Sequence, residues 1–467
     1  MTDTPQTAAG DANFDTLALP PSQLSNLVRL GYLTMTPVQA AALPVVLTGG
    51  DVIVQARTGS GKTAVFALAL LATLDQGNPA VQALVLCPTR ELADQVTAEV
   101  RRLARSEDNI KALTLCGGAP LAPQRASLEH GAHIVVGTPG RVIDHLERGY
   151  LQLSGLKTLV LDEADRMLDM GFVDDIATIA KQCPKQRQTL LFSATYPEGI
   201  VALSQRFMIA PKQIKVAAQH AASKIEQRFY EVRSDERLHA VSLLLAHFRP
   251  VSTLAFCNTR QQCRDLVDVL TAQGFSASAL HGELEQRDRD QVLIQFANRS
   301  CSVLVATDVA ARGLDIAQLE AVINVDITPD PQVHIHRIGR TGRADANGLA
   351  LSLASLDEMG SVGKIEQVQG AETVWHPLSE LKPAPGGALR PPMATLHIMG
   401  GRKEKIRPGD VLGALTGEAG FAGTQIGKIV VNEFSTYVAV DRQIAGQAVT
   451  KLGAAKVKGR KVKVRLL

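Results

Sequence analysis

The sequence contains few cysteine and aromatic residues. Its 467 residues include six cysteines, one tryptophan and 4% aromatic side chains. No two cysteines form a Cys-x-x-Cys pair, so neither a zinc site nor a disulfide framework is predicted. No apolar run approaches the length of a membrane span, and residues 1–13 lack the apolar core of a signal peptide. We therefore expect a cytoplasmic protein, with no membrane partner, whose polar residues 1–13 are disordered.

Positive charge is concentrated near the C-terminus. Residues 393–467 contain 13 Lys and Arg against 5 Asp and Glu. Because the whole chain carries a net charge of +3, the remainder carries −5. A basic segment attached to a slightly acidic body indicates a polyanionic partner for that segment.

Short apolar runs alternate with helical patterns over most of the chain, which predicts βαβ units and parallel sheets. The pattern restarts after Pro211, so we expect two consecutive α/β domains, residues 14–211 and 212–370. The predicted strands are Asp51–Gln55, Ala83–Cys87, Ala112–Leu115, His133–Val136, Thr158–Asp162 and Thr189–Phe192 in the first domain, and Gln227–Val232, Thr253–Phe256, Ser302–Val305, Ala321–Val325 and Leu349–Leu353 in the second.

Prolines and glycines cluster in residues 371–392, which predicts a linker that is neither helix nor strand. Residues 393–467 then show the order β-α-β-β-α-β of a split βαβ domain. The predicted pieces are Ala394–Met399, Gly409–Leu415, Gly427–Val431, Thr436–Val440, Ala445–Leu452 and Lys461–Leu466.

A glycine-rich loop, Ala56-Arg-Thr-Gly-Ser-Gly-Lys-Thr63, lies between a predicted strand and an apolar helix. Gly59 and Gly61 allow backbone N–H groups to approach phosphate, Lys62 reaches the β- and γ-phosphates, and the Thr63 hydroxyl is a ligand for Mg²⁺. The alternative, a plain glycine turn, is disfavoured by this strand–loop–helix context.

Three carboxylates, Asp162, Glu163 and Asp165, follow the apolar run Leu159–Leu161. An apolar run ending in acids indicates a buried parallel strand whose C-terminal end opens into a site. Taken alone, the acids could equally cap the next helix. Together with the phosphate loop they predict that Asp162 holds Mg²⁺ and that Glu163 orients or deprotonates the attacking water.

The second domain supplies the positive charge that phosphoryl transfer needs. Arg340 and Arg343 stand three residues apart, on one side of a helical turn. They are either a solvated helix face or a pair of arginine fingers delivered across a cleft.

In combination these motifs resemble the DEAD-box RNA helicases, from Phe14 to about residue 350. The resemblance implies two tandem RecA-like domains, ATP and Mg²⁺ as cofactors, RNA as the partner, and RNA-dependent ATPase activity. It further implies that ATP and RNA close the two domains and that the closed state opens short RNA duplexes by bending one strand.

The resemblance assigns the ATP site to both domains. Gln39 is implied to read adenine and Tyr32 to stack on it, although Met35 stands where the family usually has proline. The implied nucleotide-binding residues are Tyr32, Gln39, Thr58, Gly59, Ser60, Gly61, Lys62, Thr63, Gly313 and Asp315. The implied catalytic residues are Lys62, Asp162, Glu163, Arg340 and Arg343.

Contacts to the RNA backbone are implied in both domains. They comprise Pro88, Thr89, Arg90, Gly117, Gly118, Thr138, Pro139, Gly140 and Arg141 in the first domain, and Gln286, Arg289, Thr307 and Asp308 in the second. Most of these groups suit phosphate and sugar, so they position a strand without reading its bases. Asp165, Ser193, Thr195 and His336 are implied to couple hydrolysis to duplex opening, with Ser193-Ala-Thr195 hydrogen-bonded to the acids.

The C-terminal segment carries two basic clusters, Arg402, Lys403, Lys405 and Arg407, and Lys461, Lys463 and Arg465. Strand alternation predicts that Val462, Val464 and Leu466 face the core while the cations face outward. Edge lysines that prevent aggregation explain the last cluster about as well as RNA does. The element order is that of an RRM, but only Tyr437-Val438 matches part of its aromatic signature, so a charged, shape-reading surface is favoured over base stacking.

Residues 405–417 resemble those of the bacterial DbpA subgroup of this family, which is directed to 23S ribosomal RNA. This implies a helicase carried to structured RNA during assembly of the large (50S) ribosomal subunit. A general RNA chaperone or mRNA-decay helicase without rRNA specificity is the alternative. A non-enzymatic ATP-gated RNA clamp and a DNA helicase are less favoured by the motifs.

Overall fold

The structure is a computed structural model that describes residues 12–57, 59–107, 109–216, 225–311, 319–342 and 348–467. By its internal contacts the chain divides into two compact units. The first holds one parallel sheet, and the second holds another parallel sheet together with the C-terminal antiparallel sheet. No helix within these ranges is long and apolar enough to cross a membrane. All six cysteines are buried thiols.

The first unit is built on seven parallel strands in the order β3-β4-β2-β5-β6-β1-β7. The central strands are buried apolar runs, as expected of a sheet covered on both faces. The strands are β1 Val52–Gln55, β2 Ala83–Leu86, β3 Ala112–Leu115, β4 Ile134–Gly137, β5 Thr158–Leu161, β6 Gln188–Ser193 and β7 Lys212–Lys215. The helices are α1 Pro21–Arg29, α2 Pro37–Val46, α3 Lys62–Thr73, α4 Arg90–Leu103, α5 Leu121–Glu129, α6 Pro139–Glu147, α7 Ala164–Asp169, α8 Val173–Gln182 and α9 Glu198–Phe207.

Strand β7 corrects the expected boundary between the first two domains. Lys212–Lys215 pairs in parallel with Val52–Gln55, so the first sheet continues beyond residue 211. Most of β7 is exposed, because it is an edge strand with polar side chains.

The second parallel sheet has the order β10-β11-β9-β12-β13-β8-β14. Its strands are β8 Ile225–Glu231, β9 Thr253–Phe256, β10 Ala277–Leu280, β11 Val303–Ala306, β12 Ala321–Asn324, β13 Gly348–Ala354 and β14 Trp375–His376. Its helices are α10 Arg237–Phe248, α11 Arg260–Ala272, α12 Gln286–Ala297, α13 Asp308–Ala311, α14 Pro331–Ile338 and α15 Met359–Gln369.

Strand β14 corrects the prediction of a linker free of strands. Trp375 and His376 pair with Phe229 and Tyr230 of β8, so residues 371–392 begin as part of the second sheet. Aromatic contacts fix this short strand, because the Trp375 ring lies 5.6 Å from that of Phe229.

The C-terminal sheet is antiparallel, in the order β16-β17-β15-β20. Its strands are β15 Met393–Met399, β16 Ile426–Val431, β17 Ser435–Asp441 and β20 Lys463–Leu466, and its helices are α16 Pro408–Gly413, continued by a π-turn, and α17 Ala445–Ala454. The predicted β-α-β-β-α-β order is confirmed. The last strand begins two residues later than expected, because Lys461 belongs to a small hairpin, β18 Lys456–Val457 and β19 Arg460–Lys461.

Candidate functional site

The phosphate loop joins β1 to α3 in the first unit. Gly59 and Gly61 have φ of 78° and 96°, a left-handed region that favours glycine. A Cβ on Gly61 would lie 2.7 Å from the side-chain nitrogen of Gln39. The Lys62 ammonium is buried and donates to the Ala56 carbonyl at 2.6 Å. The Lys62 ammonium therefore bonds back to the first residue of its own loop.

Helix α2 is fastened to this loop. The Thr36 hydroxyl donates to the Ser60 carbonyl at 2.9 Å, and the Gln39 amide nitrogen donates to the Gly61 carbonyl at 3.3 Å. The Gln39 amide oxygen accepts the Thr36 N–H at 2.8 Å, which completes a capping box. Gln39 thus places the predicted adenine-reading segment directly beside the loop.

Tyr32 is held by two charged residues that the sequence did not suggest. Its hydroxyl donates to the Glu99 carboxylate at 2.5 Å and accepts from Arg102 at 2.7 Å. Burial and the hydrogen bond to Glu99 raise the pKa of Tyr32 to about 12. The Arg102 guanidinium lies 5.2 Å from the centre of the ring, and Phe14 meets the ring edge-on. The ring is therefore fixed in position by contacts on several sides.

The acids follow β5, at the same edge of the sheet where the phosphate loop follows β1. Asp162 is 3% exposed, and burial raises the pKa of its carboxyl to about 7, against the opposing effect of Lys62. Its carboxylate accepts the Glu163 N–H at 3.0 Å. Glu163 adopts a left-handed φ of 50°, which is uncommon outside glycine and marks a constrained position.

Asp162 and the half-buried Thr63 are the predicted oxygen ligands for a metal at this edge. Among the described residues no cluster of three or more His, Cys, Asp or Glu could hold a metal ion. This donor set fits Mg²⁺, which is usually bound by one or two carboxylates together with substrate phosphates. It does not fit a metal that needs a complete protein cage.

Asp165 joins the acids to the end of β6. One oxygen of its carboxylate, Oδ2, accepts the N–H groups of Ala194 and Thr195 and the Thr195 hydroxyl, at 2.9 to 3.1 Å. The Ser193 hydroxyl donates to the Thr195 carbonyl, and the Ser193 carbonyl accepts the Ala56 N–H. The predicted contact between Ser193-Ala-Thr195 and the acids is confirmed, and it is made to Asp165.

Arg166 is a functional-site residue that the sequence reasoning missed. Its guanidinium lies 3.3 Å from the Glu163 carboxylate, and both side chains are almost fully buried. The spacing of three residues along one helical turn was the available signal.

The three predicted RNA motifs of the first unit lie at the ends of β2, β3 and β4, which are neighbours in the sheet. The Arg90 guanidinium lies against Gly117 and Gly118, since a Cβ on Gly118 would come within 1.6 Å of it. Thr89 caps α4, and Thr138 and Pro139 begin α6. The structure therefore brings together Pro88, Thr89, Arg90, Gly117, Gly118, Thr138, Pro139, Gly140 and Arg141 along one edge.

The side chain of Gln124 joins segments of this edge through hydrogen bonds. Its amide donates to the Cys116 carbonyl and accepts from Arg141 and from the buried His145 ring, the last at 2.9 Å if that nitrogen carries the proton. Burial lowers the pKa of His145, so a neutral ring is favoured there. No local spacing indicated this network, because Gln124 lies on α5 while Arg141 and His145 lie on α6.

In the second unit Arg337 organises the predicted RNA residues. It is 1% exposed and donates two hydrogen bonds to the Asp308 carboxylate, at 2.6 and 2.8 Å. Asp308 was predicted to touch RNA, but its carboxylate is used for this bidentate pair. Arg289 donates to the Ala310 carbonyl, which places the Gln286–Arg289 turn beside the Thr307–Asp308 segment.

The remaining predicted residues of this unit are His336 and Arg340 on the turn that ends α14, half-buried and buried respectively. Gly313, Asp315 and Arg343, like Thr58 of the phosphate loop, lie outside the described residues.

The basic clusters of the C-terminal domain are exposed, as predicted: Arg402, Lys403, Lys405, Arg407, Lys461, Lys463 and Arg465. Val462 and Val464 pack against the core of this domain. The prediction for Leu466 is wrong, because its side chain is 49% exposed at the end of the edge strand.

Three families of known domains match the chain. They are the DEAD/DEAH box helicase domain over residues 36–203, the helicase conserved C-terminal domain over 236–345, and the DbpA RNA binding domain over 395–466. The chain is also 54% identical over 457 residues to the ATP-dependent RNA helicase DbpA of Escherichia coli (strain K12), covering 97% of this chain and 99% of that one.

The chain belongs to the DEAD-box ATP-dependent RNA helicases. The chain is also similar to the ATP-dependent RNA helicase CshA of Listeria monocytogenes, with 43% identity over 355 residues, 76% of this chain and 68% of that protein. A solved structure of S. cerevisiae Dbp5 bound to RNA and ADP BeF3 matches with a TM-score of 0.71 at 29% identity, covering 79% of this chain and 96% of that one. This DEAD-box helicase therefore combines the family's two RecA-like domains with a DbpA RNA-binding domain.

Proposed function

We propose that ATP is hydrolysed at the carboxyl edge of the first sheet. The carrying observation is that Lys62, Asp162 and Glu163 converge there from β1 and β5, which only β6 separates. Lys62 leaves the Ala56 carbonyl for the β- and γ-phosphates, and the backbone N–H groups from Thr58 to Thr63 cradle them. Glu163, oriented by Arg166, positions and deprotonates the attacking water. Gln39 and Tyr32 flank the adenine.

Asp162 and Thr63 hold Mg²⁺ in this proposal, together with oxygens of the nucleotide. When bound, the ion neutralises charge on the β- and γ-phosphates. Asp162 must then be ionised. Without the ion and the nucleotide, burial favours the neutral form and raises the pKa of this carboxyl to about 7.

The second unit completes the proposed site through Arg340, Arg343, Gly313 and Asp315 when ATP and RNA draw the two helicase domains together. The closed state bends one RNA strand and so opens a short duplex. The three hydrogen bonds that Asp165 Oδ2 accepts from Ala194 and Thr195 link the acids to the loop that follows β6. His336 is the corresponding coupling residue of the second unit.

RNA binds along the motifs at the ends of β2, β3 and β4 and along Gln286, Arg289 and Thr307 in this proposal. Guanidinium, hydroxyl and backbone N–H groups suit phosphate and sugar, so binding there is independent of sequence. Asp308 contributes by holding Arg337, and its carboxylate is not offered to the phosphates.

We further propose that the C-terminal domain directs the helicase to structured 23S ribosomal RNA during assembly of the large ribosomal subunit in the cytoplasm. The support is the exposed basic surface of a domain that matches the DbpA RNA-binding family. The alternative is a general RNA chaperone or mRNA-decay helicase without rRNA specificity, whose basic C-terminal domain would bind any RNA.

The test is RNA-stimulated ATPase of the full chain on a panel of 23S rRNA fragments and on bulk RNA at one salt concentration. A variant with Arg402, Arg407, Lys463 and Arg465 changed to Glu removes the basic surface, and Lys364→Glu on the exposed face of α15 controls for charge alone. The targeting proposal expects one fragment to stimulate at much lower concentration than bulk RNA, and only the quadruple variant to lose that difference. Equal stimulation of the ATPase by every RNA would instead support the alternative, a general RNA chaperone without rRNA specificity. Full-length variants are preferable to truncation, because residues 393–467 share buried hydrogen bonds with the second helicase domain.

A further inference from the structure

One face of the C-terminal sheet packs against the second helicase domain. Thr395 of β15 is fully buried, and its hydroxyl is 2.7 Å from the Ser300 hydroxyl and 3.1 Å from the Asn298 amide nitrogen, which donates to it. Asn298 and Ser300 follow α12 of the helicase domain, and both are buried. Arg442 adds a hydrogen bond to the Met393 carbonyl beside them. This face is therefore covered where the sheet begins.

The rings in the middle of the same face are engaged with each other. His397 of β15 stacks on Tyr437 of β17, with ring centres 4.8 Å apart and planes 20° from parallel. His397 is 2% and Tyr437 3% exposed, and the Arg465 guanidinium donates to the His397 ring at 3.0 Å. An RRM presents aromatic rings at such central positions to RNA bases. In this domain the two central rings are buried and are therefore not accessible to an RNA base.

The far end of the sheet is open and carries two apolar side chains. Phe434, in the turn between β16 and β17, is 66% exposed, and Met399, the last residue of β15, is 54% exposed. They are adjacent, since the Gly400 N–H donates to the Phe434 carbonyl at 3.1 Å and Met399 is paired with Ser435. The exposed ring and the exposed thioether together form a small apolar patch at this end of the sheet.

Positive charge surrounds this end. Lys463 of β20 is directly opposite Met399, and the Arg402 N–H bonds to the Asn432 carbonyl in the turn that holds Phe434. Both cations are exposed, and in the described parts of the chain neither forms a salt bridge with an acid. Lys403 is different, because it pairs with Glu433 at 3.3 Å. Lys463 and Arg402 are thus the cations of this end that are available to an anion.

We propose that Phe434 and Met399 form a stacking platform for an unpaired RNA base, with the flanking phosphates bound by Lys463 and Arg402. This inference rests on the proposed role of the C-terminal domain in RNA targeting and adds to it a stacking site away from the centre of the sheet. Aromatic rings bind bases of any sequence through their faces, and adjacent cations follow the backbone. Two exposed apolar side chains within a basic rim suit an unpaired nucleotide better than a protein, which needs a larger apolar contact.

The test uses the full chain without nucleotide and a single-stranded RNA of about 12 nucleotides that contains 4-thiouridine, a length in the range of single-strand sites. Photocrosslinks are mapped by mass spectrometry, and affinity is measured by fluorescence anisotropy. Phe434→Leu removes the ring and keeps an apolar side chain, Phe434→Tyr restores a ring, and Leu412→Ala changes an apolar side chain that is 41% exposed on α16.

We expect crosslinks within residues 426–441 that Phe434→Leu abolishes, with a loss of affinity of about 5- to 50-fold. Phe434→Tyr and Leu412→Ala should bind within about twofold of the unaltered chain, and ATPase activity without RNA should stay unchanged in all variants. Unchanged crosslinks and affinity in Phe434→Leu would overturn the platform. A change in sedimentation with RNA affinity preserved would also overturn it, by identifying a protein contact.

The rRNA panel separates this inference from the proposed function. If the quadruple charge variant loses fragment preference while Phe434→Leu binds normally, targeting stands and the platform fails. If neither variant changes preference or affinity, targeting itself fails.

Discussion

The Thr195 hydroxyl donates a 2.9 Å hydrogen bond to Asp165 Oδ2, the same oxygen that accepts the backbone N–H groups of Ala194 and Thr195. This bond ties α7, which begins directly after Asp162 and Glu163, to the loop after β6. Because Asp165 is buried, the carboxylate has little water to replace these donors. The relationship makes Asp165 a positioning residue three positions away from the metal-binding acid of the proposed site.

Thr195→Val should separate ATP hydrolysis from duplex opening. The substitution keeps the shape of the side chain and removes one of the three donors to Asp165 Oδ2, at a cost of about 1 kcal/mol in the free energy of unfolding. We expect RNA-stimulated ATPase within about threefold and strand separation reduced about tenfold or more, if coupling depends on this bond. Thr178→Val is the control, since Thr178 is exposed and its hydroxyl bonds only the Asp174 carbonyl. Equal losses of ATPase and unwinding would contradict the coupling role.

Asp162→Asn should change how stability depends on pH in the nucleotide-free protein. Burial raises the pKa of the Asp162 carboxyl from 3.8 to about 7, so the folded state favours its protonated form. The stability that the Asp162 carboxyl contributes to the folded state is fully present below about pH 4 and is lost as the pH rises through 7. We expect the free energy of unfolding of the Asn variant to exceed that of the unaltered chain by about 1 to 4 kcal/mol at pH 8. This difference should shrink towards pH 5.

Urea unfolding of the first unit at pH 5, 7 and 8 would measure this difference in stability. For a typical denaturant slope it corresponds to a shift of about 0.2 M or more in the urea midpoint. Asp15→Asn, at an exposed position, is the control. A variant that is less stable than the unaltered chain at pH 8 would show that the ionised carboxylate is stabilised in the nucleotide-free protein.

Glu163→Gln should retain binding of ATP and RNA and lose turnover. The amide keeps the size of the side chain but cannot accept the proton of the attacking water, and a general base contributes about 10²- to 10⁴-fold. Single-turnover ATP hydrolysis with saturating RNA measures the chemical step, while nucleotide and RNA affinities are measured separately. Glu147→Gln, exposed at the end of α6, is the matched control. Near-normal hydrolysis would remove Glu163 from the mechanism.

The central strands were predictable and several edge strands were not. Thr253–Phe256 was predicted residue for residue, because a buried strand of a parallel sheet is a continuous apolar run. Three missed strands, Lys212–Lys215, Ala277–Leu280 and Trp375–His376, lie at sheet edges. Their side chains are polar, small or few, so neither an apolar run nor an alternation marks them. Their pairing is decided by the neighbouring strand, which the local sequence does not contain.

The residues of the candidate site divide in the same way into those that the sequence predicted and those that it did not. Motif spacing located Lys62, Asp162, Glu163 and Asp165, since the residues within each motif are close in sequence. It did not locate the distant residues that hold Asp308 and Tyr32 in place. Arg337 reaches Asp308 across 29 positions, and Glu99 and Arg102 reach Tyr32 across about 70, so these pairs exist only after the fold has formed.

Gly118→Ala tests whether Arg90 must lie against the glycine pair. A Cβ at residue 118 would come within 1.6 Å of the Arg90 guanidinium, which must then leave its place among the motifs at the ends of β2, β3 and β4. The left-handed φ of 72° adds strain of about 1 kcal/mol. We expect RNA affinity and RNA-stimulated ATPase to fall about tenfold, and ATPase without RNA to remain.

Gly149→Ala supplies the matched control, because Gly149 has a φ of 70° and nothing within 4 Å of a Cβ. It carries the same backbone strain without the clash, so its loss of stability should equal that of Gly118→Ala while its RNA binding stays normal. Arg90→Ala in the Gly118→Ala background separates the two effects further, since the clash disappears with the guanidinium. If Gly118→Ala weakens RNA binding as much in that background as alone, the glycine itself contacts RNA and the position of Arg90 is secondary. If the second loss is absent, RNA binding depends on holding that guanidinium beside the glycine pair.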